Sequence, residues 1–124
     1  MTGKRVYLAG PPFADEYRRR ASALLAAASC EPIDPMRRDF RGRTEGREAE
    51  IVSGDLADID SCDVVLAAFT EADEGTAMEA WYARAAGTPV VAYTGGRLAH
   101  PWAVYVSAEV YAELEEAVAA VARL

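Results

Sequence analysis

Two short runs constrain the fold most: DVVLAAF at 63–69 and PVVAY at 89–93, each apolar at nearly every position. A strand with one wet face alternates apolar and polar residues, so a run without alternation belongs to a strand covered on both faces. Between them lies DEGTAMEAWYARAAGT, whose alanine content predicts a helix. Upstream, KRVYLA at 4–9 reads as a strand ending at Gly10, Pro11 and Pro12, where helix cannot start at once. The alanine- and leucine-rich segment 14–29 predicts a first helix, and CEPIDP a short second strand cut by Pro35. Segment 36–46 lacks periodicity and reads as loop, 47–60 as helix, and 107–123 as the closing helix. Strand and helix alternate throughout. The expected architecture is α/β: a single-domain, doubly wound (Rossmann-like or flavodoxin-like) parallel sheet flanked by helices, spanning residues 1–124.

A chain of 124 residues, 52% hydrophobic, has room for one core and no second domain. Its net charge of −7 argues against nucleic-acid or anionic-membrane partners, which require clustered positive charge. Small molecules and protein partners fit better. Cys30, Cys62 and a single histidine, His100, offer neither a disulfide framework nor zinc-type spacing, so no metal is expected. No run approaches the roughly 18 apolar residues of a membrane span. A soluble, unprocessed, cytoplasmic protein is the expectation.

In such a sheet ligands bind at the carboxyl ends of the strands, so the loops Gly10–Phe13, Thr70–Gly75 and Thr94–His100 are expected to converge. Glu79 sits in an otherwise apolar helix, a costly place for a carboxylate unless something compensates it. Its position after Gly75 and Thr76 suggests the first turn, where the helix macrodipole favours the ionised form. An ionised carboxylate there is a possible nucleophile, although an acid can occupy a first turn for helix stability alone. On a helical wheel Asp55 falls within the apolar arc of Ile51, Val52, Leu56 and Ile59, with Asp58 at its edge and Asp60 pointing away. Asp55 is therefore either a site residue or a structural acid bonded to a neighbouring loop. Asp73 alone reads as a turn residue. Together the acids suit glycosidic-bond chemistry, in which one carboxylate meets the anomeric carbon and another manages the leaving group's proton.

The spaced combination VYLAGPPF, DLADIDSCDVVLA and DEGTAMEAWYARAAGTPVV, over roughly residues 4–93, resembles the nucleoside 2-deoxyribosyltransferase family and its nucleotide N-glycosidase relatives. Tyr7, Asp55, Asp73 and Glu79 occupy the family's motif positions. The resemblance implies that Glu79 attacks C1′ of the sugar and holds a covalent glycosyl intermediate while Tyr7 orients it. It further implies that Asp73 and Asp55 contact the base, with Asp73 the preferred proton donor. Phe13 then packs beside sugar or base, Gly10 and Gly75 line the site, and no cofactor is needed.

Family members often borrow a residue from a neighbouring subunit, which implies a homodimer or higher homo-oligomer with a shared site. At the corresponding place this chain reads HPWAVYVS, where His100, Trp102, Tyr105 and Ser107 are candidates without a motif match. The arginines at 18–20 and 37–47 are candidate phosphate donors. Three functions compete: 2-deoxyribosyl transfer from a nucleoside to an acceptor nucleobase; hydrolysis of a nucleoside 5′-monophosphate on the same site; and a non-catalytic nucleotide-binding module. The last has no use for a nucleophile.

Overall fold

The computed structural model describes residues 3–124. Five parallel strands form one sheet in the order β2-β1-β3-β4-β5. The strands are β1 (Arg5–Ala9), β2 (Glu31–Ile33), β3 (Val64–Ala68), β4 (Val90–Tyr93) and β5 (Glu109–Tyr111). The helices are α1 (Asp15–Ala27), α2 (Glu48–Asp60), α3 (Glu74–Ala85), α4 (Pro101–Val106) and α5 (Leu114–Arg123), with a 3₁₀ turn at Pro35–Arg37. The expected doubly wound fold is present. Among the described residues, no helix is long and apolar enough to cross a membrane.

The two-residue period of the strands sorts their side chains into two cores. Val6, Leu8, Val64 and Leu66 face α1 and α5, packing on Leu25, Val118 and Val121. Tyr7, Ala9, Val65 and Ala67 face the opposite way, toward Ile59 of α2, Ala80 and Ala83 of α3, and Val106 of α4. Central strand β3 is buried at every position, which explains its unbroken apolar run. Each fully buried valine or leucine contributes about 1.5–3 kcal/mol relative to exposure. The same alternation that builds the core delivers Tyr7 to the face beneath α3.

The carboxyl-terminal region departs from expectation. Instead of one helix over 107–123, the chain forms α4, strand β5 and then α5. Pro101 starts α4 at a position where no N–H is needed, and the His100 ring accepts the Trp102 N–H at 3.1 Å. Beyond α4, Ala108 N–H donates to Val90 O at 2.7 Å, and Thr94 N–H donates to Tyr111 O at 2.9 Å. The open edge of β4 thus captures a segment whose local preference was helical. The loop between strand and helix turns through Gly95 and Gly96, with φ of 65° and 92°, which glycine adopts without strain.

Candidate active site

The strand order reverses between β1 and β3, and the crevice opens there, at the carboxyl ends of the strands. The loops after β1 and β3, with the segment after β2, enclose a cavity of about 220 Å³. Gly10, Pro12, Met36, Arg38, Asp55 and Glu79 are among its walls. That volume lies below the roughly 300–1,000 Å³ usual for drug-sized ligands, so the site suits a compact one. Gly10 is required twice over: it lines the cavity, and a Cβ there would lie 2.9 Å from the Tyr17 ring.

At the centre the Tyr7 hydroxyl donates to Glu79 Oε2 at 2.5 Å. The Asp55 carboxyl group is the acidic neighbour of Glu79. Burial pushes the Glu79 carboxyl from 4.5 up to about 8; the neighbouring Asp55 adds to the rise, and the Tyr7 hydroxyl and Arg18 work against it. Burial and the charge of Glu79 together hold the Tyr7 phenol far above its ordinary range. Asp55 is raised by burial, while Arg38 pulls it back. Both carboxyls of the pair are thus shifted toward holding a proton, Glu79 the more strongly. The first-turn placement of Glu79 expected from the sequence is corrected by the helix start. Asp73 caps α3, so Glu79 is the helix's sixth residue, in its second turn, where the macrodipole has faded.

Asp73 is committed to that cap. Its Oδ2 accepts from Thr76 N–H at 2.9 Å and from the Thr76 hydroxyl at 2.7 Å. Asp73, Gly75 and Thr76 still border the cavity. The helical wheel misassigned two residues of α2. Val52 is 53% exposed, and Asp58, not Asp55, is the most buried acid of the helix at 9%. The reason is electrostatic: Arg37 donates twice to Asp58, at 3.0 and 2.9 Å, and Arg38 donates to it at 2.8 Å. Burial alone would raise the Asp58 carboxyl, but these bonds bring it below its ordinary value. Arg38 also reaches Asp55 at 3.3 Å. Sequence reasoning missed Asp58 as a neighbour of the site and cast Arg38 only as a phosphate donor, although acids three apart on one helix beside an arginine-rich loop were a usable signal.

The arginines considered as phosphate donors are largely occupied within the chain. Arg18, 5% exposed, donates to the carbonyls of Pro11 and Gly10 at 2.6 and 2.8 Å and so fixes the β1 loop. Arg19 pairs with Glu16 and Arg20 with Glu115. Arg41 binds Asp15 and Asp39 and lies 5.3 Å above the ring of Phe13. Phe13 is 77% exposed and is not one of the side chains lining the cavity.

The loop after β4 does not join this crevice, contrary to the expected convergence. The five-residue chain path from Gly96 to α4 instead sends His100 and Trp102 to a second cavity of about 460 Å³ between α3 and α4. Trp81, Arg97 and Val106 also line it, and Asp73 borders both cavities. The Trp81 and Trp102 rings are 5.8 Å apart. Among the described residues no group of three or more His, Cys, Asp or Glu is arranged to hold a metal ion.

A family model described as nucleoside 2-deoxyribosyltransferase matches residues 6–119. The fold is similar to a 2-deoxyribosyltransferase from Bacillus psychrosaccharolyticus, with TM-score 0.77 and 18% identity over 90% of this chain and 88% of that one. It is also similar to a conserved protein from Enterococcus faecalis V583, with TM-score 0.72 and 16% identity over 97% and 98% of the two chains. A CMP N-glycosidase from Clostridium botulinum matches with TM-score 0.65 and 18% identity over 95% and 98%. The sequence matches no curated protein.

Proposed function

The chain belongs to the nucleoside 2-deoxyribosyltransferase family, and from that premise we propose that it transfers 2-deoxyribose between nucleobases through a covalent intermediate on Glu79. The observation that carries this reading is the cluster of buried Tyr7 with half-buried Glu79 and Asp55 at the mouth of the parallel strands. With one proton shared between them, the two half-buried carboxyls supply the two functions that N-glycosidic cleavage needs. The proton moves from Glu79 to Asp55, leaving Glu79 anionic and steadied by the Tyr7 hydroxyl. Glu79 then attacks C1′. The C1′–N bond breaks, its electron pair goes to the base, and Asp55 delivers the proton to the departing nitrogen. The glycosyl ester is released by the reverse sequence when an acceptor base attacks C1′ and gives its proton to Asp55.

Asp55 serves as proton carrier here in place of Asp73. The contact between Asp55 and Glu79 favours it, as does the commitment of the Asp73 oxygen to the helix cap. Asp73 acts as the residue that aims α3. Hydrolysis of a nucleoside 5′-monophosphate is the second reading, supported by the partly exposed Arg38 and Arg41 on the cavity wall. One assay separates the two: chromatography after incubation with deoxynucleosides plus free bases, and separately with ribo- and deoxyribonucleoside monophosphates. A new nucleoside marks transfer; free base with sugar phosphate marks the hydrolase. No product from any of these would defeat both.

The site is completed in a homo-oligomer. Met78 and Trp81 of α3 and Trp102 and Tyr105 of α4 are all at least 49% exposed, and together they form an apolar face beside the second cavity. A second copy seated there meets Asp73, which borders both cavities, and His100 and Trp102 then belong to the shared margin.

A further inference from the structure

We propose that Gly54 and Asp58 seat the Arg38 guanidinium against Asp55, making all three positioning residues that keep the carboxyl pair in its working charge state. The inference rests on the assignment of Asp55 and Glu79 as the reacting pair. Arg38 comes from the loop after the 3₁₀ turn and lies across α2, where its Nη2 bonds both Asp58, at 2.8 Å, and Asp55, at 3.3 Å. Glycine at position 54 lets it lie close against the helix. A Cβ at position 54 would stand 3.0 Å from Arg38 Nε, 3.1 Å from Nη2 and 3.2 Å from Cζ, so even alanine displaces the group by a few tenths of an ångström. Asp58 is the anchor, because Arg37 grips its two oxygens and leaves Oδ2 aimed at Arg38 as well. A solvated surface ion pair would need neither a glycine under the guanidinium nor a buried acid behind it.

The charged and titratable groups facing the pair come from every surrounding element. Tyr7 of β1 and Arg18 of α1 act on Glu79, while Arg38 from the loop and Asp58 of α2 act on Asp55. Arg38 is the cation that lowers the Asp55 carboxyl. If it moves away, Asp55 and Glu79 both hold protons more tightly, and the pair loses its last proton at higher pH.

The test uses two variants that keep formal charge constant, Gly54→Ala and Asp58→Glu, with Arg38→Gln as the charge-removing limit. Carboxyl titration by NMR on protein labelled with ¹³C at glutamate and aspartate side chains gives the midpoint of the pair. The pH profile of kcat/KM and the melting temperature are recorded alongside. Expected are an upward move of the midpoint by about one pH unit or more in Arg38→Gln and smaller upward moves in the other two. The alkaline limb of activity should follow. Variants that melt lower while their midpoints and pH profiles stay at the wild-type values would overturn the proposal and leave these residues structural. Because the NMR titration needs no turnover, it decides the point even if the wild-type protein proves inactive on every nucleoside, an outcome that would sink the transferase reading alone.

Discussion

Replacing Glu79 by glutamine should abolish turnover and, at alkaline pH, make the protein more stable. Folding raises the Glu79 carboxyl from 4.5 to about 8, a change equivalent to roughly 5 kcal/mol. The folded protein therefore binds a proton that the unfolded chain releases. The stability this proton contributes is fully present below pH 4.5 and is lost as pH rises through about 8. Glutamine mimics the protonated acid at every pH: its carbonyl accepts from Tyr7 and its amide donates to Asp55. Relaxation around a charged Glu79 takes up part of the total. The variant should gain about 2 kcal/mol or more over wild type at pH 9, or about 8 °C in Tm for a domain of this size, with little difference at pH 5. Thermal melts across pH 4.5–9.5 read this directly. Superimposable curves for the two proteins would refute the claim that Glu79 is buried with its proton. Turnover should fall by roughly 10⁴-fold or more, since an amide forms no glycosyl ester.

The remaining expectations concern the proton and the partner copy. Because the pair works with one proton, kcat/KM should follow a bell, with an alkaline limb near pH 8 and an acid limb above the ordinary carboxylate range; a rate that climbs through pH 8 and stays high would assign the proton elsewhere. Asp55→Asn should cost about 10²–10⁴-fold with natural bases but far less with a 4-nitrophenyl deoxyriboside, whose leaving group needs no proton, and equal losses on both would mark Asp55 as merely structural. Tyr7→Phe removes a donor at 2.5 Å and should lower kcat about 10- to 150-fold while moving the alkaline limb upward. Sedimentation should find a dimer or larger assembly that Trp102→Glu weakens, and mixing Glu79→Ala with a Trp102 variant that still assembles should restore some activity.

What the sequence conveyed and what it hid have separate physical causes. Runs such as DVVLAAF are decided by burial alone, so the central strands and the sheet class were legible. The family resemblance, not any local pattern, put Tyr7 beside Glu79, and the Tyr7 hydroxyl donates to the Glu79 carboxyl. The edge strand β5 was illegible, because its state depends on Val90 and Thr94 offering open hydrogen-bond partners, which no local propensity records. The position of Glu79 in its helix was misread because the helix starts after Asp73, one turn earlier than expected, and burial there works against the macrodipole. Asp58 was set aside because a helical wheel scores apolarity and ignores the arginines that arrive from another segment.

The most direct test of Glu79 as nucleophile is trapping. A 2-deoxy-2-fluoro nucleoside slows both steps by destabilising the oxocarbenium-like transition state, so with a good leaving base the glycosyl enzyme accumulates. Quenched, digested protein analysed by mass spectrometry should carry one fluorosugar on the peptide containing Glu79, and the Glu79→Gln protein should carry none. Steady turnover with no adduct, or with the sugar on a different residue, would contradict the account.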